Sequence, residues 1–101
     1  MTNNVFSALG HPLRRQVMDL LRKGPRTSGE LADAFEASWP TVSRHLSVLK
    51  DADLITAERQ GTSIIYRANT SVIEDAAAAL LAMIGRDNGD DDDDDMKEAA
   101  E

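Results

Sequence analysis

Ser38-Trp39-Pro40-Thr41-Val42-Ser43-Arg44-His45-Leu46-Ser47-Val48-Leu49-Lys50 is the stretch whose reading decides the fold. Ser38 offers a side-chain oxygen to an orphan N–H of a first helical turn. Pro40 falls where a helix loses no internal hydrogen bond to proline. At about 100° per residue, Val42, Leu46 and Leu49 form one apolar stripe, flanked by Trp39, His45 and Val48. The opposite face carries Pro40, Thr41, Ser43, Arg44 and Ser47, and meets no acid until Asp51. Hydroxyls and a guanidinium donate to phosphate oxygens and major-groove base edges. A plain solvated helix would look the same in isolation, so the flanking segments decide.

Upstream, Thr27-Ser28-Gly29-Glu30 has the form of a capping box, opening a helix with Leu31, Ala32 and Phe35 inward. Glu36-Ala37 is then a tight turn, and two short helices so joined make a helix-turn-helix. Before it, Val5, Phe6 and Leu9 form a short apolar piece that stops at Gly10-His11-Pro12. Gly10 suits a position just past a helix end, and Pro12 the first turn of the next. Leu13, Val17, Leu20 and Leu21 follow at helical spacing, with Arg14, Arg15, Arg22 and Lys23 on the edges, until Gly24-Pro25.

Downstream, Asp51-Ala52-Asp53 is a helix exit, with Asp53 at a left-handed position. Leu54–Glu58 and Thr62–Ala68 read as two strands joined through Arg59-Gln60-Gly61, a hairpin. Its tip bears Arg59, Gln60, Thr62 and Ser63, with Arg67 below, as a basic wing. Ser71 is expected to cap a last helix running from Val72 to about Arg86. Its stripe of Val72, Ile73, Ala76, Ala77, Leu80, Leu81 and Ile84 is wide for a terminal helix, and with Val5, Phe6 and Leu9 it reads as a dimer face. The expected fold is mainly α with a small β-hairpin: a winged helix-turn-helix in the order α-α-α-α-β-β-α, homodimeric through the first and last helices. A two-fold pair would set two reading helices about 34 Å apart on a pseudo-palindromic site.

Composition bounds the function. The 101 residues suit one small domain, and the absence of cysteine excludes disulfides, thiolate metal sites and a cysteine nucleophile. Two isolated histidines and no acid–base pair at usable spacing argue against an enzyme. No apolar run approaches the ~18 residues of a membrane span and the first residues lack a signal-peptide pattern, so a cytoplasmic protein with no membrane partner is expected. The net charge of −7 divides unevenly. Residues 1–86 hold ten Lys/Arg and nine Asp/Glu, whereas residues 87–101 hold one Lys and nine Asp/Glu. Two units follow: a DNA-binding and dimerisation domain over 1–86, and an acidic tail over 87–101 containing Asp90–Asp95, expected to be disordered. The tail reads as a solvated end, as a mimic of DNA phosphates competing for the basic face, or as a weak divalent-cation ligand.

Three segments resemble the ArsR/SmtB family of bacterial repressors: Ala8-Leu9-Gly10-His11-Pro12-Leu13-Arg14-Arg15, then Pro40 to Leu49, and Glu58-Arg59-Gln60-Gly61 to Tyr66. The resemblance runs from about Phe6 to Ala68. It implies a homodimer that sits on an operator and represses transcription, usually released by a metal or another signal. By position it carries DNA contact to Trp39, Pro40, Ser43 and Arg44, with Arg59 and its neighbours reaching phosphate or minor groove. The metal-sensing members often carry cysteines before the reading helix, where this chain has Glu30-Leu31-Ala32-Asp33-Ala34. Others use His and carboxylate pairs on the closing helix, which here offers Glu74 and Asp75 alone. The chain looks closer to the metal-independent, autorepressor-like branch, whose members answer to a partner protein.

The full DNA-facing set is therefore Ser38, Trp39, Pro40, Thr41, Ser43, Arg44, Ser47, Lys50, Arg59, Gln60, Thr62 and Arg67, on a double-stranded operator. No cofactor is required. His11 is a weak candidate ligand for nickel or zinc beside its reading as a cap, and His45 reads as a packed or DNA-near side chain. Two alternatives stay open: a metal-responsive regulator using a site of its own or a partner protein, and a protein-interaction module on the same scaffold.

Overall fold

The computed structural model describes residues 2–85. Five helices and three strands follow in order: α1 Thr2–Ala8, α2 Pro12–Arg22, β1 Arg26–Thr27, α3 Ser28–Ala34, α4 Trp39–Asp51, β2 Ile55–Gln60, β3 Ser63–Ala68 and α5 Thr70–Met83. The acidic run Asp90–Asp95 and the division at residue 87 lie outside the described residues.

The helices begin where side chains can satisfy their first N–H groups. His11 Nδ1 accepts from Leu13 N at 3.1 Å ahead of Pro12. The capping box forms in both directions, Glu30 N to Thr27 Oγ1 at 3.1 Å and Thr27 N to Glu30 Oε1 at 2.9 Å. Ser38 Oγ accepts from Thr41 N at 3.4 Å and donates to Thr41 Oγ1 at 3.1 Å. The exit from α4 is a Schellman turn: Asp53 N bonds Lys50 O at 2.9 Å and Leu54 N bonds Leu49 O at 3.0 Å. Asp53 takes the left-handed φ of 63° that this turn needs. Leu49 and Leu54, the apolar pair that accompanies such a turn, are both fully buried.

Gly10 stands just past the end of α1, without a positive φ. Two local expectations are corrected. Ser71 is not the cap of α5. The helix opens at Thr70 behind Asn69, whose Nδ2 donates to Asp53 O at 3.0 Å instead of capping its own helix. Asn69 N also donates to Leu54 O at 2.8 Å, tying the start of α5 to the exit of α4. The hairpin, secondly, is part of a three-stranded antiparallel sheet in the order β1-β3-β2, because Arg26 and Thr27 pair with Tyr66 and Ile65.

The β2–β3 register runs from Ile55↔Ala68 to Gln60↔Ser63, so the loop is Gly61-Thr62 alone. Gly61, with φ 66°, occupies the first central position, which the II′ hairpin turn reserves for glycine. Arg59 and Gln60 are therefore strand residues, not loop residues. The core gathers Val17, Met18 and Leu21 of α2, Leu31 of α3, and Val42, Leu46 and Leu49 of α4. Ile55 and Tyr66 of the sheet close it. α1 and α5 join through Val5 and Ala76, each 5% exposed.

Candidate nucleic-acid interface

The stripe expected of α4 is buried: Val42 and Leu49 are fully enclosed and Leu46 nearly so. Because the helix turns 100° per residue, burying that stripe sends Trp39, Pro40, Arg44, Ser47 and Lys50 outward, and all five are exposed. Ser38, just before the helix, is also exposed, while Thr41 and Ser43 are half-buried. The Ser38–Thr41 hydroxyl pair is engaged with itself, which holds both oxygens in a fixed orientation at the first turn.

Arg44 and Lys50 have no hydrogen-bond or ion-pair partner among the described residues, and neither has Arg59 on β2. Arg59, Gln60, Thr62 and Arg67 are all exposed on the hairpin. They do not form one patch. Arg59 pairs with Ile64 in the register and Arg67 with Thr56, so alternation places the two guanidiniums on opposite faces of the sheet. Arg67 lies 4.0 Å from Glu58 on its own face, a loose exposed pair of little energetic weight.

Beside that buried stripe, a cluster that sequence reading left unassembled links α4 to α1 and α2. Arg14 Nε donates to Ala8 O at 2.6 Å and its NH2 to Ser7 O at 3.4 Å, while NH1 donates to His45 Nδ1 at 3.1 Å. Arg15 NH1 donates to Leu9 O at 2.7 Å. The last carbonyls of α1, which has no basic residue in its own final turn, are thus met by two cations from α2. The His11 and His45 rings lie 4.3 Å apart, centroid to centroid, tilted by 43°. Burial, then the neighbouring His11, Arg14 and Arg44, hold His45 below the ordinary imidazole pKa, which favours the neutral ring that accepts from Arg14. Residues six and thirty-one apart carry no periodic signal, and the only prior hint was the presence of Arg14 and His11 in the first resembling segment.

These histidines are the described residues most suited to a metal, yet each has Nδ1 engaged. Among the described residues no three His, Cys, Asp or Glu side chains are grouped to hold an ion. His11 is a helix cap in this fold.

The expected dimer face is divided by the fold. Val5 and Ala76 are spent inside the subunit, and Phe6, Leu9, Val72 and Ile73 pack partly against its core. Leu81 is half-buried, whereas Ala77, Leu80 and Ile84 are exposed, Leu80 at 50% and Ile84 at 66%. Met83, which was not in the expected set, is 77% exposed beside them.

Comparison with known proteins gives four findings. Residues 11–57 match the family model described as "Bacterial regulatory protein, arsR family". The chain is 42% identical over 84 residues to the transcriptional repressor SdpR of Bacillus subtilis, covering 83% of this chain and 93% of that one. It is 40% identical over 63 residues to the HTH-type transcriptional repressor SmtB of Mycobacterium tuberculosis, spanning 62% of this chain and 47% of that protein. Among solved structures, a crystal structure of an ArsR family transcriptional regulator superposes with a TM-score of 0.73 at 33% identity, over 80% of this chain and 82% of the other.

Proposed function

The chain belongs to the arsR family of bacterial regulatory proteins, and from that premise we propose that it represses transcription by reading an operator with α4 and clamping the flanking backbone with the β2–β3 wing. It is a DNA-binding transcriptional regulator and not an enzyme. Trp39, Pro40, Thr41, Ser43, Arg44 and Ser47 face base edges, and Ser38, Lys50, Arg59, Gln60, Thr62 and Arg67 face phosphate or sugar. Two copies pair through the exposed end of α5 together with α1, which sets two such helices on one face of a pseudo-palindromic duplex. Residues 1–86 form the binding unit and 87–101 an acidic appendage. No resident metal enters this reading.

The single observation that carries it is the disposition of α4: three buried leucine and valine side chains on one side, and two uncompensated cations with hydroxyls on the other. The test is a fluorescence-anisotropy titration of the full chain against its own upstream DNA and a scrambled duplex, between 50 and 200 mM salt. Each phosphate contact contributes about 0.9 to the salt slope, so losing one residue in both subunits lowers it by about 1.8. Lys50→Ala should show that drop on either duplex. Arg44→Ala should instead narrow the difference between the two duplexes. A chain that ignores both duplexes at the lowest salt is not a DNA reader.

A further inference from the structure

Among the described residues four large apolar side chains are exposed. Leu80, Met83 and Ile84 sit together at the end of α5; Trp39, at 39%, stands apart at the first position of α4. Pro40, also exposed, lies beside it in the chain. An exposed indole and pyrrolidine are out of place on a surface whose other members are hydroxyls and cations, unless something apolar meets them.

We infer that Trp39 and Pro40 form an apolar edge that selects thymine in each half-site by contact with its C5-methyl group; this rests on the DNA-reading assignment of α4. The thymine methyl is the apolar feature that a base pair presents in the major groove. The N-terminal residues of a reading helix are the ones that approach base edges, and Trp39 is the first of α4. The rest of the face narrows the choice. Thr41, Ser43, Arg44, Ser47 and Lys50 include no Asn or Gln, the side chains that grip adenine through N6 and N7. Arg44 suits guanine O6 and N7. Ser38 gives its hydroxyl hydrogen to Thr41 Oγ1, and the hydroxyl that Thr41 keeps serves either base pair. An A·T pair beneath the first turn of α4 is therefore read through its methyl, and a G·C pair further along through Arg44.

The experiment is selection of binding duplexes from a random pool by the full chain, followed by replacement of thymine with deoxyuridine in the enriched sequence. Removing one methyl from a buried contact weakens binding about fourfold, and doing so in both half-sites about fifteenfold. The wild-type chain should show those losses at one thymine position per half-site. Trp39→Ala should bind the thymine duplex more weakly and lose the sensitivity to uracil, with Trp39→Phe keeping part of it. Trp39 is the single tryptophan, so its emission should change more on the thymine duplex than on the uracil duplex. Circular dichroism of Trp39→Ala confirms that the variant is folded, as removal of an exposed side chain should leave it. Equal affinity of the wild type for thymine and uracil duplexes, or undiminished uracil sensitivity in Trp39→Ala, overturns the inference while leaving the DNA-reading assignment intact. If no sequence is enriched, the assignment itself fails and the inference with it.

Discussion

Replacing Arg14 with alanine should cost this fold more than any other single surface cation, because its guanidinium is the joint between α1, α2 and α4. Ala8 is 1% exposed, and its carbonyl accepts from Arg14 Nε at 2.6 Å with no other partner among the described residues. A hydrogen bond to a charged donor contributes about 1.5–3 kcal/mol, and a cation at a helix C-terminus about 0.3–1 kcal/mol more. The longer bond to Ser7 O at 3.4 Å adds little, and the one to His45 Nδ1 is partly replaced by water because that ring is half-buried. About 2–4 kcal/mol is therefore at stake, which for a domain this size is a fall of roughly 8–30 °C in Tm. The assay is urea denaturation at fixed protein concentration, since self-association would make stability concentration-dependent. Arg15→Ala, which loses one exposed bond to Leu9 O, is the internal control and should cost less than half as much. An Arg14→Ala chain within about 0.5 kcal/mol of wild type would refute the idea that α1 is anchored through this residue.

Further outcomes are expected. His45 is held below the ordinary imidazole pKa, chiefly by burial, so below about pH 6.5 the unfolded chain binds more protons than the folded one. Stability should fall on acidification through that range, and His45→Gln should flatten the dependence of the urea midpoint on pH between 5 and 7. Thr27→Ala removes one half of a formed capping box and should cost about 1 kcal/mol by the same denaturation. Gly61→Ala meets no atom within 4 Å, so its penalty of about 1 kcal/mol would come from φ 66° alone; stability unchanged from wild type would contradict the turn geometry.

The parts of this fold that were legible in the sequence are those specified within one turn of chain. The stripe Val42, Leu46, Leu49 recurs at helical spacing, Thr27 and Glu30 are three residues apart, and Gly61 and Asp53 occupy positions of positive φ. What was not legible depends on partners far along the chain. β1 is two residues long and exists because β3 lies beside it, so no periodicity could announce it. Asn69 displaced Ser71 at the start of α5 because its amide found Asp53 O, sixteen residues away. The wing's residues were identifiable, but their faces were not, since the two-residue loop places Arg59 and Gln60 inside the strand and so decides which way each points.

The same distinction resolves the charge of the chain. Residues 1–86, with ten Lys/Arg against nine Asp/Glu, have an excess of only one cation with which to attract a polyanion, so the location of the cations must do so. Arg14, Arg15 and Arg26 donate to backbone carbonyls, Arg22 pairs with Asp19 at 2.9 Å, and Arg67 stands near Glu58. Arg14, Arg15 and Arg26 are committed inside the subunit and Arg22 to its own acid, whereas the loose, exposed pair with Glu58 leaves Arg67 available. Of the basic side chains with no such partner among the described residues, Lys23 lies just past α2, while Arg44, Lys50 and Arg59 lie on α4 and β2. Two of the four, Arg44 and Lys50, thus lie exposed on α4, whose buried apolar stripe has already turned the hydroxyl face outward. That coincidence of uncompensated charge with the helix-turn-helix is what a near-neutral domain needs in order to hold DNA.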